Sequence, residues 1–139
     1  MNLKPYSAFV LSSAGLILLG MGLYFIFLRP PLLPEDLRYI GTTLQNLKDN
    51  NPRLLNWLHK VFWVMGGYIF TTGLLIIFIS ITTFRNRLPG AFSTIVVAGI
   101  SSIGLMTVVN FLISSDFKWL LLIFTLPWAL ALILYRLHK

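Results

Sequence analysis

The chain has 139 residues, of which 57% are hydrophobic and 11% charged, with no cysteine and a formal net charge of +7. A soluble domain carries about 25% charged residues, so an ordinary soluble fold is excluded. The lack of cysteine excludes disulfide exchange, thiolate catalysis, Cys-ligated zinc and iron–sulfur clusters.

The stretches 5–28, 61–84, 88–115 and 119–135 contain no Asp, Glu, Lys or Arg. Each is apolar and comparable to the roughly 20 helical residues needed to cross a bilayer core. Lipid requires each backbone polar group to be satisfied within a helix or a closed barrel. The sequence therefore predicts an all-α membrane protein made of one transmembrane domain over 1–139. It has four transmembrane helices in an antiparallel bundle, with spans at about 5–28, 61–84, 91–113 and 118–135.

The first run follows Lys4 and is too long for a signal-peptide apolar region of about 7–15 residues. No small-x-small cleavage site precedes Arg29-Pro30-Pro31, so the run reads as an uncleaved first span.

Pro30, Pro31 and Pro34 prevent that span from continuing. Pro34-Glu35-Asp36 then reads as a helix start, with acids at the positive end of the dipole. Leu37, Ile40, Leu44 and Leu47 recur at helical spacing, and Arg38, Thr42, Gln45 and Lys48 take other positions. The pattern predicts one amphipathic interfacial helix over about 34–49, ended by Asp49-Asn50-Asn51-Pro52. Arg38, Lys48, Arg53, Trp57, His59 and Lys60 are the expected contacts to lipid headgroups.

In span 2, Gly66, Gly73 and Ser80 recur every seven residues, and Gly67 with Thr71 forms a small-xxx-small pair. The short turn Arg85-Asn86-Arg87-Leu88-Pro89-Gly90 predicts that spans 2 and 3 are neighbours. In span 3, Thr94, Ala98 and Ser102 recur every four residues, and Gly99, Ser102, Met106, Thr107 and Asn110 share another face. Small residues let helices approach closely in lipid, so these are the expected packing or partner faces. Asn110 is the carboxamide within a span, and its burial in lipid predicts a hydrogen bond to span 2, span 4 or a partner protein. In span 4, Pro127 leaves the Ile123 carbonyl without its helical donor and predicts a kink, with Thr125 or a neighbouring helix compensating.

One set of span ends carries Lys4, Arg85, Arg87, Arg136 and Lys139. The other carries Arg29, Arg38, Lys48, Arg53, Lys60 and Lys118 together with all the acids: Glu35, Asp36, Asp49 and Asp116. The tightest loop is the doubly basic Arg85–Arg87 turn, which favours an N-in, C-in arrangement. The compact apolar design suggests a bacterial inner (plasma) membrane.

Glu35 and Asp36 are adjacent, so on a helix they point about 100° apart and do not form a catalytic pair. His59 and His138 have no His, Asp or Glu at helical metal-ligand spacing. Phosphate-loop, metalloprotease and nucleophile-elbow signatures are absent. Span 1 lacks the embedded glutamate on which small multidrug exporters depend. No catalytic, metal or cofactor residue is assigned, and no cofactor is expected. The basic residues sit at span ends rather than on a separate patch, which argues against nucleic acid.

The reading is a small integral membrane protein acting as a structural or accessory subunit. It would associate through its small-residue faces with a larger membrane complex or with itself, its partners being membrane lipids and a membrane protein or a second copy. The alternative is a binder or carrier of lipid or another lipophilic molecule, gated by the first-loop helix. A third reading is an enzyme acting on a lipophilic substrate, with Arg38, Arg53, His59 or Lys60 on an anionic headgroup.

Overall fold

The computed structural model describes residues 4–137, in which every regular element is helical. Helix α1 covers Lys4–Leu23 and ends in a π-helical turn at Tyr24–Leu28. Two short helices follow, α2 (Pro34–Ile40) and α3 (Leu44–Asn50). Helix α4 (Leu54–Ile79) closes with a π-helical turn at Ser80–Phe84. Helices α5 (Ala91–Gly99) and α6 (Leu105–Leu112) are joined by a third π-helical turn, Ile100–Gly104. Helix α7 covers Lys118–Leu137.

Four stretches are long and apolar enough to cross a membrane: Tyr6–Leu28, Leu54–Phe84, Ala91–Leu112 and Lys118–Leu137. The second starts well before its charge-free run and carries His59 and Lys60 on its first turns.

The expected single loop helix over 34–49 is instead two helices. Gly41 ends α2 at φ 74°, and Thr43 caps α3 by accepting the Asn46 N–H at 3.2 Å. A left-handed glycine followed by a hydroxyl cap ends one helix and starts the next. That local chemistry prevails over the apolar spacing that spans the break.

Helix α1 lies between α4 and α7, and α5 and α6 pack on α7. The expectation that the 85–90 turn makes spans 2 and 3 neighbours is corrected. Among the described residues their packing is concentrated where α5 meets the final turn of α4. The small-residue face of α4 is already occupied, by α1.

That occupation is close. A Cβ on Gly15 would lie 2.6 Å from Ile77 Cγ1 and 2.9 Å from the Gly73 carbonyl oxygen. A Cβ on Gly22 would lie 2.6 Å from the Phe70 nitrogen, and one on Gly66 would lie 2.9 Å from the Gly22 carbonyl oxygen. Such approaches are below van der Waals contact, so only glycine permits backbone to meet backbone here. The Ser80 hydroxyl donates to the Ala8 carbonyl and accepts from the Ser12 hydroxyl at 3.0 Å. The contacts move toward the start of α4 as they move toward the end of α1.

The other firm contact joins α5 to α7. The Trp128 indole N–H donates to the Ile95 carbonyl at 2.9 Å, and both residues are buried. Gly99 leaves the space for this ring, because a Cβ there would overlap the indole. Thr107 Oγ1 lies 2.8 Å from the Ile103 carbonyl of its own helical stretch and 3.3 Å from the Leu121 carbonyl of α7. Pro127 stands inside α7, which continues through it; Thr125 donates to the Leu122 carbonyl rather than to Ile123.

The neighbouring glycines 66 and 67 separate packing from helix propensity. Gly66→Leu forces a side chain into backbone and should cost about 1–3 kcal/mol or more. Gly67→Leu enters open space and should change stability by no more than about 0.5 kcal/mol. Thermal unfolding in detergent compares them, and equal effects would contradict the α1–α4 contact.

Candidate functional surfaces

At one end of the helices, the first loop is clasped onto the turn between α6 and α7. Arg29 leaves span 1 and lies back along it, its guanidinium carbon 3.5 Å from the Phe62 ring centroid and 5.3 Å from that of Phe25. Its Nη2 contacts the Asp36 carboxylate at 3.2 Å, and its side chain is only 9% exposed. Burial lowers the Arg29 pKa and the adjacent Asp36 opposes that shift; a guanidinium stays charged at neutral pH regardless. Asp36 also accepts the Leu33 N–H at 2.8 Å, fixing the start of α2 just before Pro34.

Glu35 is 2% exposed. It accepts a hydrogen bond from the Ser115 hydroxyl at 3.1 Å, and Ser115 Oγ in turn accepts the Phe117 N–H at 3.1 Å. Arg38 meets Asp116 at 2.7 Å on the exposed side, and this hydrogen bond and charge raise the Arg38 pKa. A cleft of about 510 Å³ lies beside that pair, lined by Arg38, Tyr39, Leu112, Ile113, Ser114 and Asp116.

The expected headgroup residues divide at this end. Lys48, Arg53, Trp57 and Lys60 are exposed, and Arg38 is tied to Asp116. His59 is half-buried, with its ring edge-on to Trp63 at 4.9 Å between centroids. The burial of Arg29 and Glu35 escapes sequence reasoning. Ser115 and Phe62 lie far along the chain, although Arg29 also has the nearby partners Phe25 and Asp36.

The opposite end is cationic and aromatic. Phe84 is fully buried, and the Tyr135 ring lies 4.4 Å from it and 5.5 Å from Phe92. Arg87 stands 4.5 Å over Tyr135, and Arg136 stands 4.8 Å over Phe92. Lys139, which the charge count includes, and His138 lie outside the described residues.

Between the ends, the expected packing residues fall into two groups. Gly66, Gly73 and Ser80 are buried against α1. Gly67, Thr71 and Thr94 face outward, and Ala98 and Ser102 are half-buried. Ser102 donates to the Ala98 carbonyl of its own helix. A shallow groove of about 460 Å³ runs along Ser93, Thr94, Val97 and Ala98. Asn110 does not form the expected bond to another helix; its amide donates to the Met106 carbonyl one turn back, at 2.9 Å. That carbonyl is the nearest acceptor for a side chain in mid-helix, so the donor is met without a neighbour. Gly15, Gly22 and Trp128 complete the packing. The seven-residue spacing of Gly15 and Gly22, matching that of Gly66 and Gly73, is the sequence signal that identifies the α1 face.

Comparison with protein-family models, with curated proteins and with solved structures finds no match to this chain.

Ser115→Ala should cost about 1–3 kcal/mol, because it leaves the buried Glu35 carboxylate without this donor. Arg38→Gln breaks an exposed pair and should leave the melting temperature nearly unchanged. Thermal unfolding of both variants checks the order, and a reversal would contradict the clasp.

Proposed function

We propose that the chain is a small integral membrane protein that serves as a structural or accessory subunit. Its four spans form an antiparallel bundle, with α2 and α3 lying at the headgroup level. We place both termini on the inner side of a bacterial plasma membrane, with the Arg85–Arg87 turn.

One observation carries this reading: the small residues outnumber what the fold's own packing uses. Helix α1 takes up Gly66, Gly73 and Ser80, while Gly67 and Thr71 remain open on another face of α4. Thr94 and Ala98 line an open groove on α5. In lipid, helix association depends on close packing of such surfaces, since the tails are as apolar as leucine. The partner is therefore a transmembrane helix, from a larger complex or from a second copy.

The test is extraction in mild detergent followed by partner identification, for the parent chain and for Gly67→Leu and Thr94→Leu. The expected outcome is a defined co-purifying species that both variants lose while keeping the parent's thermal stability. A single bare species, or a partner retained by both variants, would contradict the proposal.

A further inference from the structure

The cationic end holds a group whose needs the described residues do not meet. Arg87 sits at φ 54°, a left-handed conformation strained for a side chain of its size. The strain is held in a turn closed by the Arg87 N–H to Phe84 carbonyl bond at 3.1 Å and the Leu88 N–H to Thr83 carbonyl bond at 3.0 Å. The guanidinium then packs on the Tyr135 ring. Its Nη2 is buried and finds no hydrogen-bond acceptor among the described residues. Buried donors are nearly always paired, and an unmet one points to a missing water or ion.

Charge points the same way. The ion pairs among the described residues, Arg29–Asp36 and Arg38–Asp116, both lie at the opposite end. All four Asp and Glu side chains belong to that end by sequence. Among the described residues, Arg85, Arg87 and Arg136 therefore have no carboxylate partner. Two of them lie over the packed rings of Tyr135 and Phe92, Arg87 at 4.5 Å and Arg136 at 4.8 Å from the ring centroids. Guanidinium groups seated on adjacent rings and lacking a carboxylate match a phosphate, which supplies charge and acceptors together.

From this we infer that Arg87 and Arg136, seated on Tyr135 and Phe92, form a binding site for the phosphate of an anionic lipid headgroup. Arg85 adds charge at its edge. The site lies at the end of the helices opposite the first loop, apart from the headgroup contacts expected there.

Native mass spectrometry from nanodiscs measures the retained lipid, using phosphatidylcholine alone and phosphatidylcholine mixed with phosphatidylglycerol. The parent chain should retain phosphatidylglycerol selectively. Arg87→Gln should weaken retention about tenfold, the value of one charge-assisted contact. Arg87→Lys should weaken it as well, because an ammonium keeps the charge and loses the planar stack. Arg136→Gln gives the same readout without touching the strained turn, and Lys118→Gln at the other end should change nothing. Retention by Arg87→Lys equal to the parent, or equal retention of both lipids, would overturn the site. Inorganic phosphate alone should raise the melting temperature less than phosphatidylglycerol; equal protection would overturn the lipid as the ligand's source.

Discussion

The contact between α1 and α4 decides the rest of the arrangement. Where Gly15 meets Gly73 and Gly22 meets Gly66, backbone atoms lie where any side chain would collide. In lipid there is little hydrophobic gain from bringing two apolar helices together, so their association depends on how closely they approach. Four glycines in matching seven-residue steps give two helices a continuous close seam, and Ser80 extends it with hydrogen bonds to Ala8 and Ser12. With its strongest face used, α4 meets the span that follows it in sequence mainly at its final turn. Helix α1 becomes central, and α7 takes its other side.

The charge-free runs reveal the four spans because desolvating a charge is costly in hydrocarbon, and that cost leaves a plain mark in one dimension. The heptad of Gly66, Gly73 and Ser80 is equally legible as a packing face. Its partner is not, because a short loop favours the next span while the matching glycines sit in the first. The break at Gly41 was open to reading, since glycine followed by a threonine cap is a local signal, but the apolar spacing runs across it. Glu35 against Ser115, Arg29 against Phe62 and Trp128 against Ile95 depend on long-range folding, and nothing near them in sequence announces them. Asn110 shows the reverse case: a residue expected to reach across helices donates instead to the carbonyl one turn behind it.

The two ends of the helices are built on different chemistry. At the first-loop end, cations are matched: Arg29 by Asp36 and two rings, Arg38 by Asp116. The clasp between Glu35 and Ser115 ties α2 to the α6–α7 turn, so this loop is held to the helices rather than left loose over them. At the other end the cations rest on aromatic rings and meet no carboxylate. The first-loop end thus holds both ion pairs seen among the described residues, and the other end holds its arginines on rings. Between them, Gly67 and Thr71 of α4 and Thr94 of α5 face outward.

Because the chain has no cysteine, introduced pairs report on the helix order without background. Ser12→Cys with Ser80→Cys places sulfurs where the two hydroxyls now touch at 3.0 Å. Leu74→Cys with Ser101→Cys sits at matched distances from the 85–90 turn, where spans 2 and 3 would meet if the loop made them neighbours. Crosslinking in membranes, scored as an intramolecular disulfide, should be efficient for the first pair and absent for the second. Crosslinking of the second pair in place of the first would contradict the central position of α1.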